Sequence, residues 1–241
     1  MTPILRRRGT RWLLLVLAAG VLWRVVRYAL VFPIWGDEAF VAVNVVTRGF
    51  HDLLGRLEHD MVAPIGFLWG ERAVGETLGL GEAALRLLPF LAGLAAFLLL
   101  ARLVVARLGR LAAVVAVGLL AASYYPVRHA AEIKPYAFDL LAGAVLVPLA
   151  WRVLDDPIRG KRWLGFAVAS AVLVWFSYPA AFVAGGALLV LGVRALRDRR
   201  SAIPWAAAGF AVVASFAAMY VLVGRHQQWA ETTTETSGQW S

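Results

Sequence analysis

The sequence of 241 residues contains no cysteine. This absence excludes a disulfide scaffold, a thiolate metal site and a cysteine nucleophile. Charged residues are also scarce, at 16% of the chain, whereas soluble domains average about 25%. Apolar residues take their place, because 61% of the chain is hydrophobic and the mean hydropathy is +0.72. One core of this size cannot hide so many apolar residues from water, so the composition points to lipid as the solvent.

The common signatures of soluble enzymes are absent as well. The sequence has no GxGxxG, P-loop, HExxH or GxSxG pattern, which leaves nucleotide-binding and hydrolase chemistry of the soluble type without support. The net charge of +9 would suggest nucleic acid as a partner of a soluble protein. In a membrane protein the same excess marks the cytoplasmic loops. The positions of the basic residues decide between these interpretations.

Apolar windows of about 17–25 residues predict an all-α, polytopic transmembrane helical bundle with about seven spans. The predicted spans are Trp12–Phe32, Leu85–Ala101, Leu111–Tyr125, Ala137–Leu154, Trp163–Tyr178, Pro179–Leu196 and Ile203–Val223. Segment 62–80 contains Glu71, Arg72 and Glu76, and we interpret it as an interfacial or re-entrant helix. It lies in a long external first loop, residues 33–84. The chain is thus one transmembrane domain over residues 1–241, with a flexible polar tail at 225–241.

The basic residues orient this layout. Fifteen fall in segments on one side and six on the other, with three more in or at the ends of spans. The six are Arg48, Arg56, Arg72, Arg128, Lys134 and Arg225. This bias predicts a multi-pass protein of the cytoplasmic (inner) membrane with its N-terminus in the cytoplasm. Eleven of the fifteen acids fall in external segments, so we expect the active face outside and no nucleic-acid partner.

The first external cluster follows the first span, where residues 35–39 read Trp-Gly-Asp-Glu-Ala. Two adjacent carboxylates at a membrane surface are costly to desolvate, so Asp37 and Glu38 usually have a partner or a task. Alternatively, Pro33 and Gly36 break the span and Asp37 caps the helix that follows. A cap also fixes the direction of its carboxylate, so the two interpretations are compatible.

A second cluster, Glu-Ile-Lys-Pro-Tyr at 132–136, follows the third span. Glu132 and Lys134 could form an exposed ion pair, which stabilises by about 0–1 kcal/mol. The alternative is that Lys134 and Arg128 hold an anionic ligand such as a phosphate. Arg24 and Arg27 share one face of the first span, where they either snorkel outward or face the external pocket and help to bind an anion.

The third cluster is His59-Asp60, which precedes Pro64 and the aromatic Trp69. Adjacent His and Asp residues do not make a metal site alone, and a lone histidine is more often a surface or packing residue. Proline and an aromatic anchor suit a helix that enters the membrane interface. By itself, this cluster does not indicate a metal or catalytic site.

Four segments in this order are similar to a known family. They read Trp-Gly-Asp-Glu-Ala at 35–39, Ala-Pro-Ile-Gly-Phe-Leu at 63–68, Gly-Glu-Ala-Ala-Leu-Arg-Leu-Leu-Pro at 81–89 and Ala-Glu-Ile-Lys-Pro-Tyr-Ala at 131–137. The pattern resembles the GT-C superfamily of integral-membrane glycosyltransferases. The nearest resemblance is to the RgtA/B/C/D-like bacterial members, which are related to protein mannosyltransferases and aminoarabinose transferases. It runs from about residue 10 to residue 200.

The resemblance implies transfer of a sugar from a polyprenyl-phosphate donor on the outer side of the cytoplasmic membrane. Asp37 would act as the general base toward the acceptor, with Glu38 as its catalytic neighbour. Lys134, with Arg128 and Tyr136, would bind the donor phosphate. No cofactor is certain from the resemblance.

The same resemblance implies a surrounding pocket made by Glu132, His59, Asp60 and Pro64. A divalent metal, if one is used, would be held by Glu132 and Asp37. Members of the family are longer, so the chain is expected to be truncated relative to them, to be a minimal form, or to work with a second membrane chain that supplies the missing C-terminal half. A catalytically silent GT-C-like fragment or partner subunit, and a transporter of lipid-linked sugar, are the alternative functions.

Overall fold

The computed structural model describes the backbone of residues 3–228 and the side chains of 11–227, and this part of the chain is helical without strands. Its α-helices are α1 (Pro3–Ala29), α2 (Asp37–Thr47), α3 (Ile65–Leu78), α4 (Glu82–Leu85), α5 (Leu87–Arg107), α6 (Arg110–Ala122), α7 (Tyr124–His129), α8 (Tyr136–Asp155), α9 (Gly160–Leu173), α10 (Pro179–Arg197), α11 (Arg199–Met219) and α12 (Arg225–Gln228). Two short 3₁₀ helices, Asp52–Leu54 and Glu58–Asp60, and a π-helical turn at Tyr220–Gly224 complete the set. The flexible tail predicted at 225–241 is wrong in its first residues, because 225–228 form α12 and the buried Gln227 exchanges hydrogen bonds with the backbone of Ala63. The rest of the predicted tail, from 229 onward, lies outside the described residues.

Five helical stretches are long and apolar enough to cross a membrane, and they confirm a helical, multi-pass membrane protein. They are Arg11–Ala29, Glu82–Arg107, Tyr136–Asp155, Pro179–Arg197 and Arg199–Gln227. The other two predicted spans are shorter helices than expected, because α6 has 13 residues and α9 has 14. At 1.5 Å per residue each measures about 20 Å, whereas the hydrocarbon core of a bilayer is about 30 Å thick.

The helices α5 and α8 begin at the same end of the bundle. Arg86, just before α5, binds Glu38, and Lys134, just before α8, binds Asp37. Both carboxylates belong to the first turn of α2. The chain between α5 and α8 therefore returns along the bundle through α6 and α7.

A buried arginine joins α1 to α6. The two terminal nitrogens of Arg24 donate to the carbonyls of Gly20 and Leu120, each at 3.0 Å, and its guanidinium lies 4.1 Å from the ring centre of Phe97. The small Gly20 permits this packing, because a Cβ there would lie 2.5 Å from Phe97. Arg24 therefore faces neither the surrounding lipid nor the external pocket, since its two terminal nitrogens are bound within the bundle while its Nε is buried without a partner.

The predicted loop 33–84 is a packed layer of short helices. The interfacial helix expected at 62–80 is α3, and its residues Phe67 and Leu68 are fully buried against α2 residues such as Val45. The backbone N–H of Gly66 donates to the carbonyl of Trp175 at 2.8 Å. This bond fastens the layer to the turn between α9 and α10.

Candidate active site

The first turn of α2 presents Asp37 to the surface. Gly36 has φ +58°, a conformation that glycine adopts without strain, and it occupies the N-cap position. The alternative that Asp37 caps the helix is therefore wrong, because Asp37 is itself the first helical residue. Its carboxylate accepts a hydrogen bond from Lys134 Nζ at 2.8 Å instead. A negative charge is also favourable at this end of the helix dipole.

Lys134 links the two predicted clusters. Its side chain is only 8% exposed, whereas that of Asp37 is 60% exposed. The Nζ atom also lies 3.9 Å from Glu132 Oε2 and 5.5 Å from the ring centre of Tyr136. The hydrogen bond from Lys134 lowers the pKa of Asp37, so the pair is a salt bridge between a nearly buried ammonium and an accessible carboxylate.

Glu132 is held in its ionised form by three neighbouring side chains, those of Arg128, His129 and Lys134. Arg128 Nε lies 2.5 Å from one carboxylate oxygen and His129 Nδ1 lies 2.7 Å from the other. Burial alone would raise the pKa of Glu132, but the hydrogen bonds from His129 and Arg128 and the charge of Lys134 outweigh it and lower the pKa to about 2. The hydrogen bond to Glu132 in turn raises the pKa of Arg128.

Glu38 has surroundings unlike those of its neighbour Asp37. It is 2% exposed and accepts hydrogen bonds from Arg86 Nε at 2.9 Å and from the backbone N–H of Ile133 at 3.0 Å. Arg86 also donates to the carbonyl of Phe32. Glu38 thus joins the start of α2, the start of α5 and the turn that carries Lys134.

A cavity of about 590 Å³ opens beside this cluster, between α1 and α7. Aromatic rings make up much of its wall, and Arg27, Arg128 and Glu132 supply its polar groups. The aromatic residues are Trp23, Phe32, Trp35 and Tyr124. The arrangement suits a ligand with an apolar body and an anionic head. Of the two arginines in the first span, only Arg27 reaches this pocket.

The remaining predicted pocket residues lie apart from the charged cluster. The ring of His59 stacks on Phe40 with 4.4 Å between ring centres, and Asp60 accepts a hydrogen bond from Arg56 at 2.7 Å. Pro64 is buried at the start of α3. In the described part of the chain we find no contact between these three side chains and Asp37 or Lys134.

The carboxylates of the cluster do not fit a divalent metal. Asp37 is bound by Lys134, and both oxygens of Glu132 are engaged by Arg128 and His129. Across the described residues, no group of three His, Asp or Glu side chains is placed to hold a metal ion. A metal at these carboxylates would have to displace Lys134, Arg128 or His129.

Sequence reasoning did not single out Arg86 and His129, which belong to the site, or the buried Glu71 of α3. Arg86 belongs to the 81–89 motif but gave no sign of its partner, which is 48 residues away. His129 could have been found, because it precedes Glu132 by three residues, a spacing that brings side chains together on a helical turn. Glu71 on α3 is fully buried, both of its carboxylate oxygens lack a partner, and burial raises its pKa well above the ordinary value.

Comparisons with protein-family models, with curated proteins and with solved structures find no match for this chain.

Proposed function

We propose that the protein is a membrane glycosyltransferase of the GT-C type, which moves a sugar from a polyprenyl-phosphate donor to an acceptor. The observation that carries this proposal is the 2.8 Å contact between Asp37 and Lys134, residues that are 97 positions apart, beside the aromatic and basic cavity. This contact brings together Asp37, which can accept a proton, and Lys134, whose positive charge can bind a phosphate. The reaction takes place on the outer face of the cytoplasmic membrane, and seven passages of the chain, with α6 and α9 as the short ones, form the bundle.

The cavity between α1 and α7 accommodates the donor. Its aromatic wall receives the first isoprene units, while Arg27 and Arg128 approach the phosphate from the same cavity. Lys134 and Tyr136 complete the phosphate site from the start of α8. Arginine suits this task, because its planar guanidinium pairs with two phosphate oxygens and remains charged at a membrane surface.

Transfer is a single displacement at the anomeric carbon of the sugar. The acceptor oxygen forms a bond to that carbon while the bond from the carbon to the phosphate oxygen breaks, and the electron pair leaves with the phosphate. Lys134 and Arg128 neutralise the charge that develops on this leaving group. Asp37 takes the proton of the acceptor, a contribution that is worth about 10²–10⁴-fold in rate.

The salt bridge explains how the base is kept inactive until the donor binds. In the resting protein Lys134 holds the pKa of Asp37 low, so Asp37 is a weak base. A donor phosphate competes for the same ammonium. Once Lys134 turns to the phosphate, Asp37 loses its partner and its pKa rises, which improves its capacity to accept a proton.

Glu38 takes part as a positioning residue. Its buried contacts with Arg86 and Ile133 N–H hold the 131–135 turn against the start of α2, and this packing sets the approach of Lys134 to Asp37. The layer that contains His59, Asp60 and Pro64 lies on the acceptor side. No divalent metal enters this mechanism.

The test is transfer by purified protein in liposomes that contain polyprenyl-phosphate sugars. We expect Asp37→Asn to reduce the turnover rate by about 10²–10⁴-fold. We expect Lys134→Met to raise the KM for the donor as well. Asp52→Asn, an exposed acid of the same layer, is the matched control and should behave as wild type.

Equal turnover by wild type and Asp37→Asn would disprove the assignment of the base. No transfer by the wild-type chain, together with co-purification of a second membrane protein, would favour a partner subunit instead. Movement of lipid-linked sugar across the liposome without transfer would indicate a transporter.

A further inference from the structure

A second basic region lies at the other end of α5 and α8. A cavity of about 340 Å³ between these helices combines apolar walls, such as Leu103 and Val145, with Arg102, Arg107 and Arg152. Because α5 and α8 have 21 and 20 residues, this end lies about 30 Å from the Asp37–Lys134 pair. That separation matches the thickness of the hydrocarbon core, so the two regions face opposite surfaces of the membrane.

The cavity continues toward the start of α9. A neighbouring space of about 610 Å³ also contains Arg152 and adds Arg159, Lys161 and Arg162. Arg152 therefore stands between two cavities that share a basic lining. Together they form a concentration of positive charge at the boundary between apolar walls and water.

Two of these arginines have no acidic partner. Arg107 lies 3.5 Å from Asp155 and stacks on Trp151, and Arg159 lies 3.3 Å from Asp156. The exposed Arg102 and Arg152 form no ion pair in the described part of the chain. Both face the same cavity, so an anion there would meet two guanidinium groups that no carboxylate neutralises.

A proline shapes the apolar wall. Pro148 lies inside α8 and lines the cavity together with Ala144, four residues earlier. Proline cannot donate the hydrogen bond that the Ala144 carbonyl would otherwise accept, and the small side chain of Ala144 leaves space beside it. The cavity is thus a groove along α8 that extends from Arg152 back to Ala144, toward the middle of the helix.

We propose that this groove is a binding site for an anionic phospholipid, whose phosphate lies between Arg102 and Arg152 and whose acyl chain follows the apolar wall between α5 and α8. A soluble phosphate would use only the arginines, whereas a phospholipid uses both parts of the site. Basic pockets between membrane helices are suited to anionic headgroups for this reason. The site is independent of the sugar-transfer site.

The experiment is native mass spectrometry of the purified protein with phosphatidylglycerol, phosphatidylcholine or glycerol 3-phosphate. We expect phosphatidylglycerol to bind in preference to phosphatidylcholine, and glycerol 3-phosphate not to displace it. The double variant Arg102→Gln/Arg152→Gln should lower the affinity for phosphatidylglycerol roughly thirtyfold, at the strength typical of two basic residues.

The matched control is Arg194→Gln/Arg197→Gln, which removes the same charge at the end of α10, outside the groove. This control variant should still bind phosphatidylglycerol in preference to phosphatidylcholine. If the two double variants lose the same affinity for phosphatidylglycerol, the effect is one of general surface charge and the proposed site is wrong. Displacement of phosphatidylglycerol by glycerol 3-phosphate would also overturn the proposal, because the groove would then bind a soluble anion. If the groove variant does not fold, the wild type decides, because equal retention of the two phospholipids overturns the proposal.

Discussion

Asp37 and Glu38 are neighbours in sequence, but the helix separates their surroundings. Successive residues of an α-helix point about 100° apart, so one carboxylate faces the solvent while the other enters the protein. Glu38 and Arg86 form a pair in which each side chain is 3% exposed. Removal of one member of such a pair typically destabilises by about 3–5 kcal/mol, because the other charge stays buried and unpaired. The pair of acids therefore divides into a fixed anchor and an accessible group.

The low pKa of Glu132 makes stability depend on pH. Because the folded-state pKa is about 2 and the ordinary value is 4.5, the contribution of Glu132 is fully present above about pH 4.5. It is lost as the pH falls through 2. We expect Glu132→Gln to lower the unfolding free energy by about 2 kcal/mol at pH 7, since it weakens charged hydrogen bonds to Arg128 and His129. Thermal unfolding of the detergent-solubilised protein at pH 7, 5 and 3 measures this.

The difference between wild type and Glu132→Gln should shrink at pH 3. Glu58→Gln is the control, because Glu58 forms a half-exposed ion pair with Arg48 at 3.5 Å and should contribute little at any of these pH values. A Glu132→Gln variant as stable as wild type at pH 7 would show that Arg128, His129 and Lys134 do not stabilise the fold through this carboxylate.

The position of Asp37 and Glu38 after an apolar span predicts that each has a partner or a task, and both have partners. The exposed ion pair considered for Glu132 and Lys134 is instead a nearly buried contact at 3.9 Å, and Glu132 lies closer to Arg128 and His129. The sequence does not identify the partners. Arg86 and Lys134 reach α2 only because α5 and α8 begin at the same end of the bundle. Such pairs depend on tertiary packing, and no local spacing encodes them. The pair of Arg128 and Glu132 is the exception, since the two residues are four positions apart, a spacing that brings side chains together on a helix.

At the scale of elements, apolar runs predict where helices lie better than where they end. The run 111–125 is continuous in hydropathy, but α6 stops at Ala122 and α7 begins at Tyr124. Pro126 has no N–H to continue the hydrogen bonds of α6, and Ser123 bonds back to the Leu119 carbonyl at 2.6 Å. Both residues are signals that a hydropathy window averages away.

A similar break separates α9 from α10. Pro179 occupies the first turn of α10, where its missing N–H costs nothing. Ser177 accepts from the Ala180 N–H and donates to Asp139 Oδ1 at 2.7 Å. The turn between α9 and α10 is thus attached to the start of α8. This attachment sets the position of the turn along the bundle, and α3 docks on the same turn.

The docking of α3 depends on a glycine that lies against backbone. A Cβ at Gly66 would lie 2.7 Å from the carbonyl oxygen of Trp175, which a hydrogen bond holds in place. We expect Gly66→Ala to destabilise by about 1–3 kcal/mol in thermal unfolding, as overpacking does. At Gly70, on the same helix, the nearest atom to a new Cβ is the flexible end of Leu88, so Gly70→Ala is the control.

Gly70→Ala should be milder than Gly66→Ala, because a side chain can move and alanine favours the helix by about 0.5–1 kcal/mol over glycine. The reverse order of stability would mean that the turn at Trp175 yields more easily than Leu88. In that case the layer over residues 37–85 is not fastened where the structure places the bond.

At the scale of the whole molecule, the charges separate toward the two ends of the bundle. The carboxylates of the candidate site lie where α5 and α8 begin, and the Arg102, Arg107 and Arg152 group lies where they end. Sequence counting predicts this separation, because alternating loops carry alternating excesses of basic residues. It cannot give the distances within the site, which arise from helix packing.

The separation of charge predicts the orientation of the protein, and the absence of native cysteine makes the orientation measurable. His51 is 97% exposed in the layer that carries Asp37, and Arg200 is exposed at the start of α11 at the other end. We expect a membrane-impermeant maleimide to label His51→Cys in intact spheroplasts. Arg200→Cys should be labelled only after permeabilisation, because the excess of basic residues predicts that this end faces the cytoplasm. The cysteine-free wild type is the control for background. Labelling of Arg200→Cys alone in intact spheroplasts would show the opposite topology, with the Asp37–Lys134 pair on the cytoplasmic surface, and would contradict the proposed function.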